Sequence, residues 1–125
     1  TSYGLPVKAS IKLGKPIGKF QLIQQLIAEI AMDIDAAKLY LSGIADAGSR
    51  IQLPKGNGHG QIFATEMGVK NTSKALQVMG SYGLAEEYTL ERYFRDARCF
   101  TFLDGTPQIQ NLIIGRELLG MSAIR

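Results

Sequence analysis

The sequence predicts an all-α fold, an antiparallel up-and-down four-helix bundle, on three observations. Apolar residues recur at spacings of three and four over most of the chain, which is the periodicity of helices. In the longest segment this stripe repeats every seven residues, as it does in helices that pack side by side in a bundle. No convincing run alternates apolar and polar residues in the way that a half-buried strand does.

The first predicted helix runs from Pro16 to Ala47. Proline suits a first helical turn because its missing N–H would have no partner there, and Gly48 suits the end of the helix. The apolar stripe consists of Ile23, Ile27, Ile30, Ile34, Ala37, Leu41 and Ile44. A helix of about nine turns is long for a globular protein, and that length also favours packing in a bundle.

A loop is predicted from Ser49 to Gly60, because its proline and glycines interrupt the periodicity. We interpret His59 within it as an exposed loop residue. A second helix is predicted from about Gln61 to Met79. It ends at the turn GSYG (80–83), whose glycines are typical of a helix C-terminus.

The remaining elements are shorter. We predict a helix from about Glu87 to Arg98 and then a β-like extended link over residues 99–103. In the N-terminal stretch, Leu5, Ala9 and Leu13 fit one face of a short helix, which Pro6 limits.

The last predicted helix begins at Pro107 and ends near Gly120, with the Thr106 hydroxyl as its N-cap. Its predicted inward residues are Ile109, Leu112, Ile113 and Leu119.

Length and composition exclude several classes of function. The 125 residues fit one domain, and 46% hydrophobic with 20% charged residues is typical of a water-soluble globular protein.

One cysteine, Cys99, and one histidine, His59, argue against a disulfide framework and against a metal site, so no metal is predicted. Dispersed basic residues with a net charge of +3 argue against nucleic-acid binding. No apolar run reaches the roughly 20 residues of a membrane span. The length also disfavours a self-sufficient enzyme for a large cofactor.

Three short segments are candidates for chemistry on their pattern alone. In QVMGSYG (77–83), small residues allow a ligand to approach the backbone, although a glycine cap explains the pattern equally well. In DGT (104–106), a carboxylate before a helix can act as a general base, although ordinary capping is the favoured interpretation. The alternating charges of RYFRDAR (92–98) most often form a surface ion-pair network.

Four segments together carry a resemblance to a known family. They are GKPIGKFQ (14–21), ATEMGVKNTSKALQVMGSYG (64–83), ERYFRDAR (91–98) and DGTPQIQNLIIGRELLG (104–120). In this order they resemble the C-terminal domain of the acyl-CoA dehydrogenase family over nearly the whole chain from Gly14 onward. The family signature pairs a Gln-x-x-Gly-small-x-Gly turn with an acid, an arginine and a second acid. Its positions are filled here by Gln77, Gly80, Ser81, Gly83, Glu87, Arg92 and Asp96.

The resemblance implies a three-domain flavoenzyme with an N-terminal helical domain, a middle β-domain and a C-terminal four-helix bundle. Enzymes of this family bind FAD and an acyl-CoA thioester. A carboxylate removes the α-proton, the β-hydride goes to the flavin, and an electron-transferring flavoprotein accepts the electrons. The usual assembly is a tetramer built through the C-terminal bundles, with FAD at a subunit interface. We therefore expect a homo-oligomer, a tetramer or dimer, without nucleic-acid or membrane partners.

The resemblance also implies the roles of particular residues. Asp104 stands where many members have the catalytic glutamate, Gly105 is expected against the thioester, and Arg116 matches an arginine near the substrate. The FAD-contacting positions are matched by Gln21, Gln77, Gly80, Ser81, Thr106 and Gln108. Of these, residues 77–81 are expected to hold the adenosine part of FAD from the neighbouring subunit.

The sequence departs from the family pattern in three places. Aspartate at 104 withdraws the carboxylate by one methylene, about 1.5 Å of bond length, from where glutamate would hold it. Asp104 therefore either serves a substrate that lies closer, or the chain is part of a weaker or altered enzyme. Some relatives that act on alicyclic acyl-CoA, and the nitroalkane oxidases, resemble this chain in using aspartate. Ser10 replaces the arginine expected at the FAD pyrophosphate, and Lys12 or Lys8 is a weaker substitute. Ser81 replaces a common glycine, which the signature tolerates.

Two hypotheses follow. In the first, residues 1–125 are one helical-bundle domain of a three-domain acyl-CoA dehydrogenase, and the isolated chain is inactive because it lacks the β-domain that covers the flavin. In the second, the chain is a non-catalytic helical oligomerisation module, or a diverged paralogue with impaired FAD binding. One unpaired cysteine is consistent with a reducing compartment, either the cytoplasm of a bacterium or archaeon or the mitochondrial matrix.

Overall fold

The computed structural model describes residues 10–47 and 58–121, and four α-helices make up most of this part of the chain. Helix α1 covers Gln21–Ala47, α2 covers Gly58–Met79, α3 covers Leu90–Phe100 and α4 covers Pro107–Leu119. The predicted all-α, four-helix fold is confirmed. Helix α2 contacts each of the other three helices and therefore forms the centre of the domain.

Helices α1 and α2 run antiparallel. Glu29 pairs with Lys74 at 2.8 Å, whereas further along α1 the ring of Tyr40 lies 5.0 Å from that of Phe63, which is nearer the start of α2. The predicted apolar stripe of α1 lies on the half-buried side of the helix at every position except Leu41, which is 43% exposed. The seven-residue repeat thus identified the packed face.

The start of α1 was predicted too early. Pro16 ends a short antiparallel hairpin in which β1 (Ile11–Lys12) pairs with β2 (Lys15–Pro16). A 3-10 turn over Ile17–Lys19 follows, and the extended Phe20 separates it from α1. The Phe20 carbonyl accepts from the Gln24 N–H at 3.0 Å, but its own backbone is extended, so Phe20 is the N-cap and the helix begins at Gln21.

The N-terminal helical face is also corrected at Leu13. This residue lies in the hairpin turn with φ 51° and is 90% exposed. Glycine follows it, also with positive φ (74°), so the chain reverses here instead of coiling. Leu5, Ala9 and the predicted stop at Gly48 lie outside the described residues.

Helix α2 begins three residues earlier than predicted. His59 is exposed, as expected, but it lies in the first turn of the helix and not in a loop. Gly58 and Gly60 are buried, and a Cβ at Gly60 would lie only 3.0 Å from Cδ1 of Ile44. These glycines therefore permit close packing, where the sequence pattern indicated a turn. Residues 49–57 of the predicted loop lie outside the described residues.

The predicted end of α2 is confirmed, but α3 starts later than expected. Gly80 has φ 61° and opens a 3-10 turn over Gly80–Leu84. A second 3-10 turn covers Glu86–Tyr88, and Thr89 then adopts a left-handed conformation with φ 55°. Because a left-handed residue interrupts a right-handed helix, α3 begins at Leu90 and not at Glu87.

The predicted β-like link is wrong. Cys99 and Phe100 complete α3, and Thr101 and Phe102 follow in a turn in which the Phe102 N–H donates to the Cys99 carbonyl at 3.1 Å. Short-range hydrogen bonds thus override the strand preference of these residues.

Helix α4 is confirmed at both ends. Thr106 is its N-cap, and Gly120 ends it with φ 66°. Of the predicted inward residues only Ile113 is half-buried, whereas Ile109, Leu112 and Leu119 are exposed. The reason is that α4 packs chiefly on α2, so one narrow face is covered. No helix in the described ranges is long and apolar enough to span a membrane.

Candidate functional site

Most of the predicted site residues fall into two groups near opposite ends of α2. The acidic turn (residues 104–108) lies beside the first turn of α2, because the side chain of Gln110 contacts Gly58 and Gln61. The QxxGS segment (residues 77–81) lies where α2 ends. The rise of a helix over the sixteen residues between positions 61 and 77 is roughly 24 Å, so the two groups are well separated.

The acidic turn exposes its carboxylate directly before a helix. Asp104 and Gly105 are exposed, and Gly105 has φ 71°, a conformation that favours glycine. Thr106 is extended, and its hydroxyl accepts from the Ile109 N–H at 3.4 Å. Gln108 is exposed in the first turn of α4. An accessible carboxylate thus lies two residues before the N-cap of α4, where a bound molecule can reach it.

A buried threonine fixes the α3 side of this turn. Thr101 is only 3% exposed, and its hydroxyl donates to the Arg98 carbonyl and accepts from Nη1 of Arg98, both at 2.8 Å. The Arg98 guanidinium also lies over the Phe102 ring, 5.8 Å from its centroid. The sequence analysis missed this contact because Thr101 fell within the supposed β-like link.

A glutamine fixes the α4 side of the turn. Gln110 donates through Nε2 to Oε1 of Gln61 at 3.2 Å. A Cβ at Gly105 would lie 2.8 Å from Nε2 of Gln110, and a Cβ at Gly58 would overlap its Oε1. Gln110 could not be predicted as a contact residue from the sequence, because an uncharged amide in a helix gives no signal of its own.

The predicted FAD residues of the second group gather at one end of the α1–α2 pair. Gln77, Gly80 and Ser81 are exposed, and a Cβ at Gly80 would meet nothing within 4 Å. Gln21 is exposed as the first residue of α1. Because α1 and α2 are antiparallel, it lies at the same end as the QxxGS segment.

A cleft of about 420 Å³ lies at this same end. It is lined by Ser10, Ile11, Lys12, Ile17, Met79, Tyr82 and Tyr88. The rings of Tyr82 and Tyr88 meet edge to face at 6.2 Å. Ser10, for which the resemblance implies an arginine in the family, therefore lines the same cleft as Met79 and Tyr82 of the chain around the QxxGS segment. The sequence analysis missed both tyrosines.

Arg116 belongs to neither group. It is exposed in the last turn of α4, and its carbonyl accepts from the Gly120 N–H at 2.9 Å. The ten residues between 106 and 116 correspond to roughly 15 Å along the helix, so Arg116 lies away from Asp104. Across residues 10–47 and 58–121, no three His, Cys, Asp or Glu side chains gather as metal ligands.

An ion network joins α1 to α2 between the two groups. Nζ of Lys74 lies 2.8 Å from Glu29 and 3.3 Å from Asp33, and Lys70 also lies 3.3 Å from Asp33. Hydrogen bonding to Lys74 lowers the pKa of Glu29. Burial pulls the pKa of Asp33 upward, but its bonds to Lys70 and Lys74 outweigh that effect and lower it. The hydrogen bond to Glu29 raises the pKa of Lys74 against the opposing effect of burial.

Comparison with known proteins gives the same family as the resemblance in the sequence. Residues 7–119 match a family model described as acyl-CoA dehydrogenase, C-terminal domain. The chain is 38% identical over 113 residues to cyclohexane-1-carbonyl-CoA dehydrogenase of Geobacter metallireducens, which covers 88% of this chain and 29% of that protein. It is 37% identical to 3-sulfinopropanoyl-CoA desulfinase of Variovorax paradoxus, covering 92% of this chain and 29% of the relative.

The fold is similar to that of a solved structure, the complex of glutaryl-coenzyme A dehydrogenase with glutaryl-CoA. The TM-score is 0.83 with 31% sequence identity, and the match covers 98% of this chain and 32% of that chain. The chain thus spans about a third or less of the length of these relatives.

Proposed function

The chain belongs to the acyl-CoA dehydrogenase family of flavoprotein oxidoreductases, in which it matches the C-terminal domain, and on this premise we propose that it supplies the catalytic carboxylate and part of the FAD site. The proposed reaction is α,β-dehydrogenation of an acyl-CoA thioester. The observation that carries the proposal is the exposed Asp104 beside Gly105 at the start of α4. The N-terminal helical domain and the β-domain are proposed to belong to the same polypeptide.

Asp104 is the proposed base. Its carboxylate takes the proton from the α-carbon of the acyl group while the hydride leaves the β-carbon, so that a carbon–carbon double bond forms. FAD supplies the acceptor for that hydride when it is bound. The thioester is proposed to lie against Gly105, which is exposed next to the carboxylate.

The aspartate favours a substrate whose α-carbon lies closer to the turn than glutamate would require. The similarity to a dehydrogenase of cyclohexane-1-carbonyl-CoA supports an alicyclic acyl group. The chain is also similar to a 3-sulfinopropanoyl-CoA desulfinase. Desulfination is a different reaction from the dehydrogenation proposed here, so 3-sulfinopropanoyl-CoA should be tested as a second substrate.

The residues at both groups suit FAD. The proposed contacts are neutral amides and hydroxyls, which match the carbonyl, ring-nitrogen and hydroxyl groups of a flavin and its ribityl chain. They are Gln21, Gln77, Ser81, Thr106 and Gln108. Gly80 adds an open approach to the backbone, since a Cβ there would meet nothing within 4 Å. Lys12, in the cleft with Ser10, is the proposed partner of the pyrophosphate.

The separation of the two groups supports a homo-oligomer. Residues 104–108 and 77–81 are held roughly 24 Å apart along α2 of one chain. We propose that each FAD takes one group from each of two subunits, in a dimer or tetramer, and that an electron-transferring flavoprotein reoxidises it.

The test uses the full-length protein purified from the gene that encodes this chain. We expect visible flavin absorbance that bleaches on anaerobic addition of one acyl-CoA from a panel of straight, branched and alicyclic thioesters. The Asp104→Asn variant should still bind flavin, but its flavin absorbance should no longer bleach when the acyl-CoA is added. Asp35→Asn is the matched control, since Asp35 is exposed and pairs only loosely with Lys38 at 4.0 Å. Bleaching by Asp104→Asn at the wild-type rate would remove Asp104 from this role.

The second candidate function is a helical assembly module without catalysis, or a paralogue with impaired FAD binding. Serine in place of arginine at position 10, in the cleft, favours it. Flavin titration of the full-length protein and of Ser10→Arg separates the two functions. Tight binding by the wild type supports the enzyme. Weak binding that the arginine restores supports the diverged paralogue, and no binding by either protein supports the assembly module.

A further inference from the structure

We propose that Gln110 is the positioning residue that fixes the turn carrying Asp104 against the first turn of α2. This inference rests on the proposed function, in which Asp104 is the base. Gln110 itself touches no reacting atom in the proposal. It acts through Gly105 and Gln61.

The contacts of Gln110 join three parts of the chain. Its main-chain N–H donates to the Thr106 carbonyl at 3.0 Å, which ties it to the N-cap of α4. Its side-chain amide donates to Gln61, a residue 49 positions away, and lies directly against Gly105 and Gly58. Asp104 is the immediate neighbour of Gly105. A movement of the Gln110 amide therefore reaches the carboxylate through a single peptide unit.

Of the two glycines that the Gln110 amide lies against, Gly58 is the informative one. Gly105 has φ 71°, so its backbone alone favours glycine. Gly58 is different, because it is the first residue of α2 and has no positive φ, so its backbone conformation does not require glycine. The space that a Cβ at Gly58 would need is taken by Oε1 of Gln110. By contrast, a Cβ at Gly115, in the middle of α4, would meet nothing within 4 Å.

A purely structural role for Gln110 predicts a different effect of its substitution on turnover. If it only packed α4 against α2, its loss would lower the melting temperature and leave turnover per bound flavin unchanged. If it positions Asp104, turnover falls even in fully folded enzyme, because a displacement near 1 Å costs on the order of 100-fold in a positioned reaction.

The first experiment compares Gln110→Ala with Asn111→Ala in the full-length enzyme. Asn111 is the next residue on α4 and is exposed, so it is a matched amide control. We expect kcat per bound flavin to fall about tenfold to 100-fold in Gln110→Ala, with little change in KM. Asn111→Ala should keep both parameters. An unchanged kcat in Gln110→Ala overturns the proposal wherever Asp104→Asn is inactive.

The second experiment displaces the amide without removing it. Gly58→Ala should lower kcat because its Cβ pushes Gln110 aside. In the Gln110→Ala background the same substitution should have no further effect, since the obstructing atom is gone. Gly115→Ala is the control that adds a Cβ to α4 in open space. Equal effects of Gly58→Ala in both backgrounds contradict the proposal.

The third experiment measures the effect of Gln110→Ala on local structure and not on turnover. Together with the activity of Asp104→Asn, it separates this inference from the proposed function. Hydrogen exchange of the resting full-length protein is followed in peptides covering residues 101–110 and residues 21–47. We expect Gln110→Ala to speed exchange in the first peptide only. If Asp104→Asn retains activity while this local change appears, the proposed base fails and the positioning by Gln110 stands. Unchanged exchange in residues 101–110 overturns the positioning itself.

Discussion

Thr101 shows how much one side chain contributes at the end of a helix. It is 3% exposed and bonds both to the carbonyl and to the guanidinium of Arg98. Thr101→Val keeps the shape and removes both bonds, so we expect a loss of about 1 kcal/mol in the free energy of unfolding. Urea unfolding of the wild type and of Thr101→Val measures this loss. Thr101→Ser should retain most of the stability, and a valine variant as stable as the wild type would contradict the assignment.

Thr106 stabilises α4 as its N-cap. Because the bond from the Ile109 N–H is long at 3.4 Å, Thr106→Ala should cost about 0.5–1 kcal/mol, the lower part of the usual range for such caps. Thr106→Ser keeps the acceptor oxygen and should cost less than the alanine. Urea unfolding of the three proteins in parallel checks this order. Equal stability of the serine and alanine variants would be inconsistent with capping.

At this scale the sequence predicted the acidic turn but not what holds it. The Thr106 cap followed from its place before Pro107, and the roles of Asp104 and Gly105 came from the resemblance and stay predictions. Gln110 could not be identified from its own segment, because its partner lies 49 residues away. Hydrogen-bond partners between distant uncharged side chains leave no periodic or charge pattern in a single sequence.

Among the elements, the α1–α2 pair depends on its ion network. Lys74 is 16% exposed in its side chain and serves both Glu29 and Asp33. Lys74→Met leaves these carboxylates with fewer partners, so we expect a lower melting temperature at pH 7. Lys38→Met is the control, since Lys38 is 73% exposed and lies 4.0 Å from Asp35. Equal melting temperatures for Lys74→Met and the control would show that the network is not stabilising.

The same network predicts how stability depends on pH. A carboxyl whose pKa is lowered by folding stabilises the protein above its unfolded pKa, and this contribution disappears as the pH falls through the folded value. For Glu29 and Asp33 the loss should therefore occur below about pH 4. The raised pKa of Lys74 adds stability that is complete below an unfolded value of about 10 and is lost above it.

The difference in melting temperature between the wild type and Lys74→Met isolates this pH effect from all other titrating groups. It should be constant from roughly pH 5 to pH 9 and should narrow outside that range. A difference that stays constant down to pH 2 would contradict the lowered pKa values.

The long helices were predictable and the short connections were not. A seven-residue stripe over α1 identified both the helix and its packed face, because many residues repeat the same signal. The wrong helix boundaries lie where the backbone conformation of a single residue ends or delays a helix. Leu13 and Thr89 take positive φ, and Phe20 is extended, although none of these residue types favours a break. At Leu13 the positive φ belongs to a two-residue hairpin turn, which glycine favours at both positions and leucine does not, so the residue type gives no signal of it.

At the scale of the whole molecule, the described part leaves much apolar surface uncovered. Val78, at 9% exposure, is the one hydrophobic side chain there that counts as buried. Large exposed side chains include Leu22, Met32 and Leu39 on α1, and Phe100, Phe102 and Leu103 around the end of α3. With so many large apolar side chains exposed and so few buried in this part of the chain, we expect other parts of the protein or other copies to cover some of them.

Sedimentation of this chain tests that expectation. We predict self-association that strengthens with concentration, and a melting temperature that rises with concentration. Met32→Lys and Leu39→Lys should weaken the association, because they place a charge on the exposed side of α1, away from the stripe that packs within the domain. Lys38→Gln, on the same helix, is the control. A monomer at all concentrations would contradict the prediction.

The contact between α2 and α4 also has a consequence for the order of folding. Neighbouring helices in the chain can zip together from the turn that joins them, but α4 must reach α2 past the whole of α3. Closing that span costs chain entropy before any contact compensates for it, so Gln61 and Gln110 should meet late. In stopped-flow measurements Gln110→Ala should speed unfolding and leave the folding rate nearly unchanged. The turn that carries Asp104 would then be the last part of the domain to assemble and the first to come apart.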